Sequence, residues 1–282
     1  MRKLLVLGTT IALLAITNAP AAAAAHDLVC TGAVSSGTYG NVTVPAGNSC
    51  QLGGSVVVQG DFAATGAVDI VVSGATIEGD VRIEQSTGSV VILNSDATVR
   101  GNLEVADNTT DIVLVGSAVS GGVLVVGNVE ITGNTAAVVA ANGSTFGRNV
   151  SITHNTTTDV VQVACNVFTG GNVDLSSNIA TGESGLIELV SDCAASGLPL
   201  GGEVNGNITM TENVATYVAL GASYTPKSVE FSHNNAEWTF VGGMVVGRNL
   251  TCTGNTPDPS TFDIFTEQDY PNTVSGKDGC TD

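Results

Sequence analysis

Two observations predict an all-β chain. Octets such as Gly101–Asn108 (GNLEVADN) and Gly127–Asn134 (GNVEITGN) recur about every 21 residues, and nearly every octet closes on Asn. Val, Thr, Ile, Gly and Asn carry the composition, which is strand-and-turn chemistry. The expected fold is a single-stranded, right-handed parallel β-helix of about ten coils of about 21 residues, with disulfide-stapled N- and C-terminal caps. Charged residues make up 12% of the chain, about half the usual share of roughly 25%. Disorder needs low hydrophobicity with high charge, so it is excluded. Helical bundles need Ala, Glu, Lys, Leu and Arg at helical spacing, and this chain of 282 residues has three Lys.

Residues 1–25 read as a signal peptide. Arg2 and Lys3 precede an apolar run from Leu4 to Ile16, and the small residues Ala21 to Ala25 supply the cleavage site. A membrane anchor would need about 20 apolar residues, more than this run has. Cleavage leaves 257 residues (282 − 25) with a formal charge of −20 (6 basic against 26 acidic). No membrane span is expected after that. A chain this acidic is repelled by nucleic acid. The expected location is secreted, extracellular or cell-wall associated, where disulfides form.

Residues 26–59 read as an N-terminal cap and first coil, 60–252 as the β-helix repeats, and 253–282 as a C-terminal cap. The repeat starts fall at Gly40, Gly60, Gly79, Gly101, Gly127, Arg148, Gly171, Gly206, Lys227 and Arg248. Eight of the nine intervals lie between 19 and 26 residues. In each octet alternate residues face opposite ways: Val129 and Ile131 one way, Asn128, Glu130 and Thr132 the other. A second apolar stretch and a third short piece follow in each unit. Nine intervals at roughly 4.8 Å give a rod about 43 Å long. A leucine-rich repeat would need a Leu-x-x-Leu-x-Leu frame, which is absent. The 35-residue interval from Gly171 to Gly206 implies an inserted loop of about 12–14 residues near Ser191–Glu203, where solenoids often place specificity.

Stacked coils turn octet positions into columns. The eighth is Asn108, Asn134, Asn155, Asn178, Asn213, Asn234 and Asn255, an amide ladder at a left-handed corner. The sixth includes Thr132, Thr153 and Thr211, a solvent-facing hydroxyl ladder. The fourth includes Glu104, Glu130, Asp174 and Glu230. Glu104 and Glu130 stack as like charges unless a cation lies between them, which motivates Ca²⁺ as the one cofactor to test. No calcium nonapeptide or EF-hand loop occurs, and no metal ligand set is assigned. The polar columns and the inserted loop are the expected binding regions.

Six Cys allow fifteen pairings. The local one, Cys30–Cys50, Cys165–Cys193 and Cys252–Cys280, fits this layout: its first and last bridges would pin caps over exposed strand edges.

The opening segment, Cys30 and GNVTVPAGNSC from Gly40 to Cys50, and the closing segment, NLTCTGNTP from Asn249 to Pro257 with Gly279-Cys280, resemble a group of small secreted bacterial proteins, mainly actinobacterial. The resemblance covers nearly the whole mature chain. It implies a parallel β-helix of the pectate-lyase-like kind and no activity. This chain departs from the group's simpler members in its insertion and in Cys165 and Cys193.

Polysaccharide lyases and glycoside hydrolases also use β-helices, so a carbohydrate-active enzyme is the alternative function. Its best constellation is Glu212 and His233 in the seventh octet column, with His154 above them and Asp174 one strand face away. A solvated turn accounts for the same residues. Tyr217 and Trp238 share a column; exposed, they could stack on sugar rings, but the column also contains Ile112 and Val138, so a buried position is the expectation. Interrupting acids argue against an ice-binding Thr face. The expectation is therefore a non-catalytic, rigid surface or matrix element that contacts polysaccharide or the cell envelope.

Overall fold

A computed structural model of the chain describes residues 25–88, 90–117, 122–168, 170–190, 202–263 and 267–280. Every regular element among them is a β-strand. The expected signal peptide lies outside the described residues but for Ala25. Cys193 and residues 191–201 of the expected loop lie outside them too.

The octets form one parallel sheet of eleven strands, from Leu28–Val29 to Leu250–Thr253. Their register is the one the columns require: Glu104 pairs with Glu130, Glu130 with Ser151, and Ser151 with Asp174. Val129, Ile131, Val150 and Ile152 are buried, while Glu130 is exposed. The second stretches stack as a second parallel sheet. Ile112–Gly116, Thr135–Asn142, Thr156–Ala164, Leu186–Val190, Val214–Gly221 and Asn235–Gly242 pair in succession. The short third pieces pair from Thr76–Ile77 to Val167–Phe168. They resume from Gly202–Glu203 to Thr273–Val274. Three stacks of parallel strands around one apolar interior are compatible with a parallel β-helix.

The interior holds the apolar set of each stack: Val139 and Val161 from the second, Phe146 and Phe168 from the third. The Phe146 and Phe168 rings lie 5.6 Å apart. Val and Ile dominate because β-branched side chains fit a pleated surface buried on one face. Cys30–Cys50 and Cys252–Cys280 are disulfides, as expected. The segment after Cys252 covers strand edges: Val241 N donates to Ser260 O, and Leu250 N to Lys277 O.

Two expectations change. The left-handed corner belongs to the seventh octet residue, not to the Asn after it. Gln85, Asp107, His154, Ser177, Glu212 and His233 have φ between 54° and 58°, and Gly133 and Gly254 take the same turn. That turn swings the following Asn inward, where its N–H and Nδ2–H both reach the next coil. The insertion is divided as well. Leu186 lies eight residues after Asn178, whereas its partner Tyr217 lies four after Asn213. Gly206 lies 16 residues after Val190, whereas Lys227 lies six after Gly221. Four extra residues therefore precede the strand Leu186–Val190 and ten follow it. Gly202–Glu203 is a strand rather than loop.

Candidate functional site

The first sheet's outward columns are largely occupied with themselves. Arg82 lies 3.5 Å from Glu104, on the side away from Glu130. Thr132 and Thr153 bond through their hydroxyls at 3.3 Å, and Thr211 bonds to Ser176 at 3.1 Å. These threonines are half-buried rather than open to solvent. Asp174 accepts from Ser176, and Glu230 accepts from Ser232 at 3.0 Å. Among the described residues no three His, Cys, Asp or Glu side chains converge on a metal position.

His154, Glu212 and His233 are exposed in left-handed corners; Ser177 stands between His154 and Glu212, and Glu212 accepts from it at 3.1 Å. No ion pair joins Glu212 to His233 among the described residues. Asp174 lies on the adjacent strand, engaged with Ser176, and does not join them. Polar residues and Gly recur in this column because Gly takes positive φ freely and short polar side chains tolerate it better than bulky ones.

The second sheet carries the more distinctive surface. Leu186, Tyr217 and Trp238 are register partners, as are Glu188, Ala219 and Phe240. Both columns face outward, opposite the buried Ile187, Val218 and Thr239. Trp238 is 45% exposed, which overturns its expected burial. The pattern carried a usable sign: Gln162 and Glu188 interrupt their apolar runs two residues after Val160 and Leu186. Residues two apart on a strand share a face, so polar Gln162 and Glu188 mark that face as outward. Val160, Leu186, Tyr217 and Trp238 belong to it. The sequence reading missed Glu188, Phe240 and Phe262 altogether.

These residues line a depression of about 560 Å³, counting open solvent, that includes Trp238, Tyr217, Phe240, Phe262 and Glu188. Glycines at Gly221 and Gly242 make it. A Cβ on Gly242 would lie 2.5 Å from the Phe240 ring, and one on Gly221 would lie 3.1 Å from it. With no side chain there, the ring rests on the backbone and meets Tyr270 edge-on at 6.4 Å. Glu188 ends a polar row. Asn142 Nδ2 donates to Gln162 Oε1 at 2.7 Å, and Gln162 Nε2 donates to Glu188 Oε1. Burial pushes the Glu188 carboxyl above its ordinary range, and the Gln162 hydrogen bond opposes this in part. Glu188 Oε2 makes no hydrogen bond among the described residues.

Aromatic faces beside a carboxylate oxygen can hold a ligand that has apolar faces and hydroxyl edges. Compared with known proteins, the chain matches no family model, no curated protein and no solved structure, and the resemblance of its two ends remains a likeness of motifs.

Proposed function

We propose that this is a secreted, non-catalytic, right-handed parallel β-helix of about ten coils, acting at the cell surface or in the extracellular matrix as a rigid element that binds glycans. The observation that carries the reading is the outward aromatic depression on the second sheet, with Glu188 in it. Sugar rings present C–H faces to aromatic side chains and hydroxyls to carboxylates, and the depression supplies both partners. A stack of hydrogen-bonded strands holds these groups in place. The disulfides fit an extracellular protein.

Trp238 is the one tryptophan of the chain, so its emission reports on the depression directly. Titration with a panel of oligosaccharides should shift that emission saturably, and Tyr217→Ala should weaken the response up to about tenfold, the upper end of the roughly 0.5–1.5 kcal/mol of a lost aromatic contact. A flat response to every oligosaccharide would remove the reading. So would release of reducing or unsaturated ends that is lost in Glu212→Ala or His233→Ala, which would place a catalytic centre on the first sheet.

A further inference from the structure

We propose that the depression takes an uncharged sugar chain, and that Glu188 is the residue that selects it by accepting hydroxyl hydrogen bonds. This rests on the glycan-binding reading and narrows it to one class of ligand.

The electrostatics favour a neutral ligand. Among the described residues no Lys, Arg or His lines the depression, and Glu188 is the one charged group that does. The chain carries −18 overall, so no distant excess of positive charge compensates. A uronate or sulfated chain would bring its anions against a half-buried carboxylate, in surroundings that screen charge less than water does. A neutral chain meets no such penalty.

The hydrogen bonding favours hydroxyl groups. Gln162 occupies Glu188 Oε1 and orients the carboxylate, and Oε2 has no partner among the described residues. An ionised carboxylate only accepts, so its natural complement is a donor, and sugar hydroxyls are donors. Asn142 in turn holds Gln162: its Nδ2 donates to Gln162 Oε1, while its Oδ1 accepts from Ala164 N at 3.1 Å. The acceptor therefore stands at the end of a three-residue row spanning three successive strands, which fixes it in the depression two strands from Trp238 and Phe240.

The test compares two oligosaccharides of equal length at low ionic strength, a neutral glucose oligomer and oligogalacturonate, followed by Trp238 emission. The neutral oligomer should bind and the uronate should bind at least tenfold more weakly. Glu188→Met should weaken the neutral oligomer about tenfold or more, the range for a lost hydrogen bond to a charged group. Glu188→Gln, which keeps an acceptor oxygen and removes the charge, should lose less and should narrow the gap between the two ligands. Far-UV circular dichroism confirms that each variant is folded. Equal or tighter binding of oligogalacturonate would overturn this inference while leaving glycan binding intact. Unchanged neutral binding in Glu188→Met would overturn the role of Glu188. No response to either oligomer would sink both ligand class and residue role. Concentration-dependent Trp238 emission with a dimer in sedimentation would assign the depression to a second copy of the chain and overturn the proposal.

Discussion

The first sheet carries two asparagine ladders that differ in burial and direction, and the difference explains which residues each accepts. In the buried ladder at the eighth octet position, Asn155 Oδ1 accepts from both the N–H and the Nδ2–H of Asn134, one coil nearer the N-terminus, at 3.0 and 2.9 Å. Asn155 Nδ2 also donates to Ile131 O at 3.0 Å. In the exposed ladder at the second position the sense is reversed: Asn128 N donates to Asn102 Oδ1 at 2.9 Å, one coil back. Asp61 and Asp80 stand in this second ladder, and their carboxylate oxygens accept from the next coil at 2.9 and 2.6 Å. From Asn108 to Asn255 the buried ladder contains only Asn. A buried rung must accept and donate at once, because an orphaned group there has no water to turn to. An exposed rung need only accept, and water completes the rest.

The largest effect should come from Asn155→Asp, which removes the Nδ2 donors and places a carboxylate where no water reaches. Asn155→Ala should follow, at about 2–3 kcal/mol, because it leaves the buried Asn134 N–H without its acceptor and takes the Nδ2 donor from Ile131 O, while Asn134 Nδ2 keeps Val105 O and Thr132 O. Urea unfolding should lower the midpoint in both cases. A midpoint within experimental error of wild type would mean that the ladder is not a source of stability. On the exposed ladder, Asn128→Ala should cost less than about 1 kcal/mol, and Asn128→Asp should be nearly neutral, since water replaces the lost partners. If the two ladders respond alike, burial is not what separates them.

The corner before each buried rung gives a smaller change of the opposite sign. His154→Gly should stabilise by about 0.5–1 kcal/mol in thermal unfolding, because Gly takes φ of 57° without a Cβ clash. Destabilisation would show that the imidazole makes a contribution beyond the turn.

The polar row on the second sheet adds a pH-dependent effect. Burial raises the Glu188 pKa, so the folded state binds this proton more tightly than the unfolded state does. The stability tied to Glu188 is therefore fully present below its unfolded pKa and falls as pH rises through its folded pKa. Glu188→Gln should flatten that part of the pH profile and be the more stable protein at neutral pH. An unchanged profile would place Glu188 in contact with bulk water.

Much of the first sheet was legible without coordinates. The register follows from octets that repeat the same residue types at the same positions, and the terminal disulfides follow from where Cys30, Cys50, Cys252 and Cys280 fall against that frame. The second ladder was hidden, since the Gly-Asn and Gly-Asp openings look like simple turn residues until stacking places each carbonyl under an N–H. One surface was misread. Tyr217 and Trp238 were assigned inward because their column contains Ile112 and Val138.

What the amino-acid pattern determined by itself is the stacking: the repeat length, the octet register and the Asn column, because each repeat restates them. What only the tertiary structure decided is which face of the second stretch meets water, and how the extra residues divide around Leu186–Val190. Runs such as Val-Val-Ile-Leu are apolar on both faces, so alternation alone does not mark the outward side. That side is chosen when three stacks of strands meet and only one set of side chains fits the space between them. Trp238 and Glu188 were left outside by that choice.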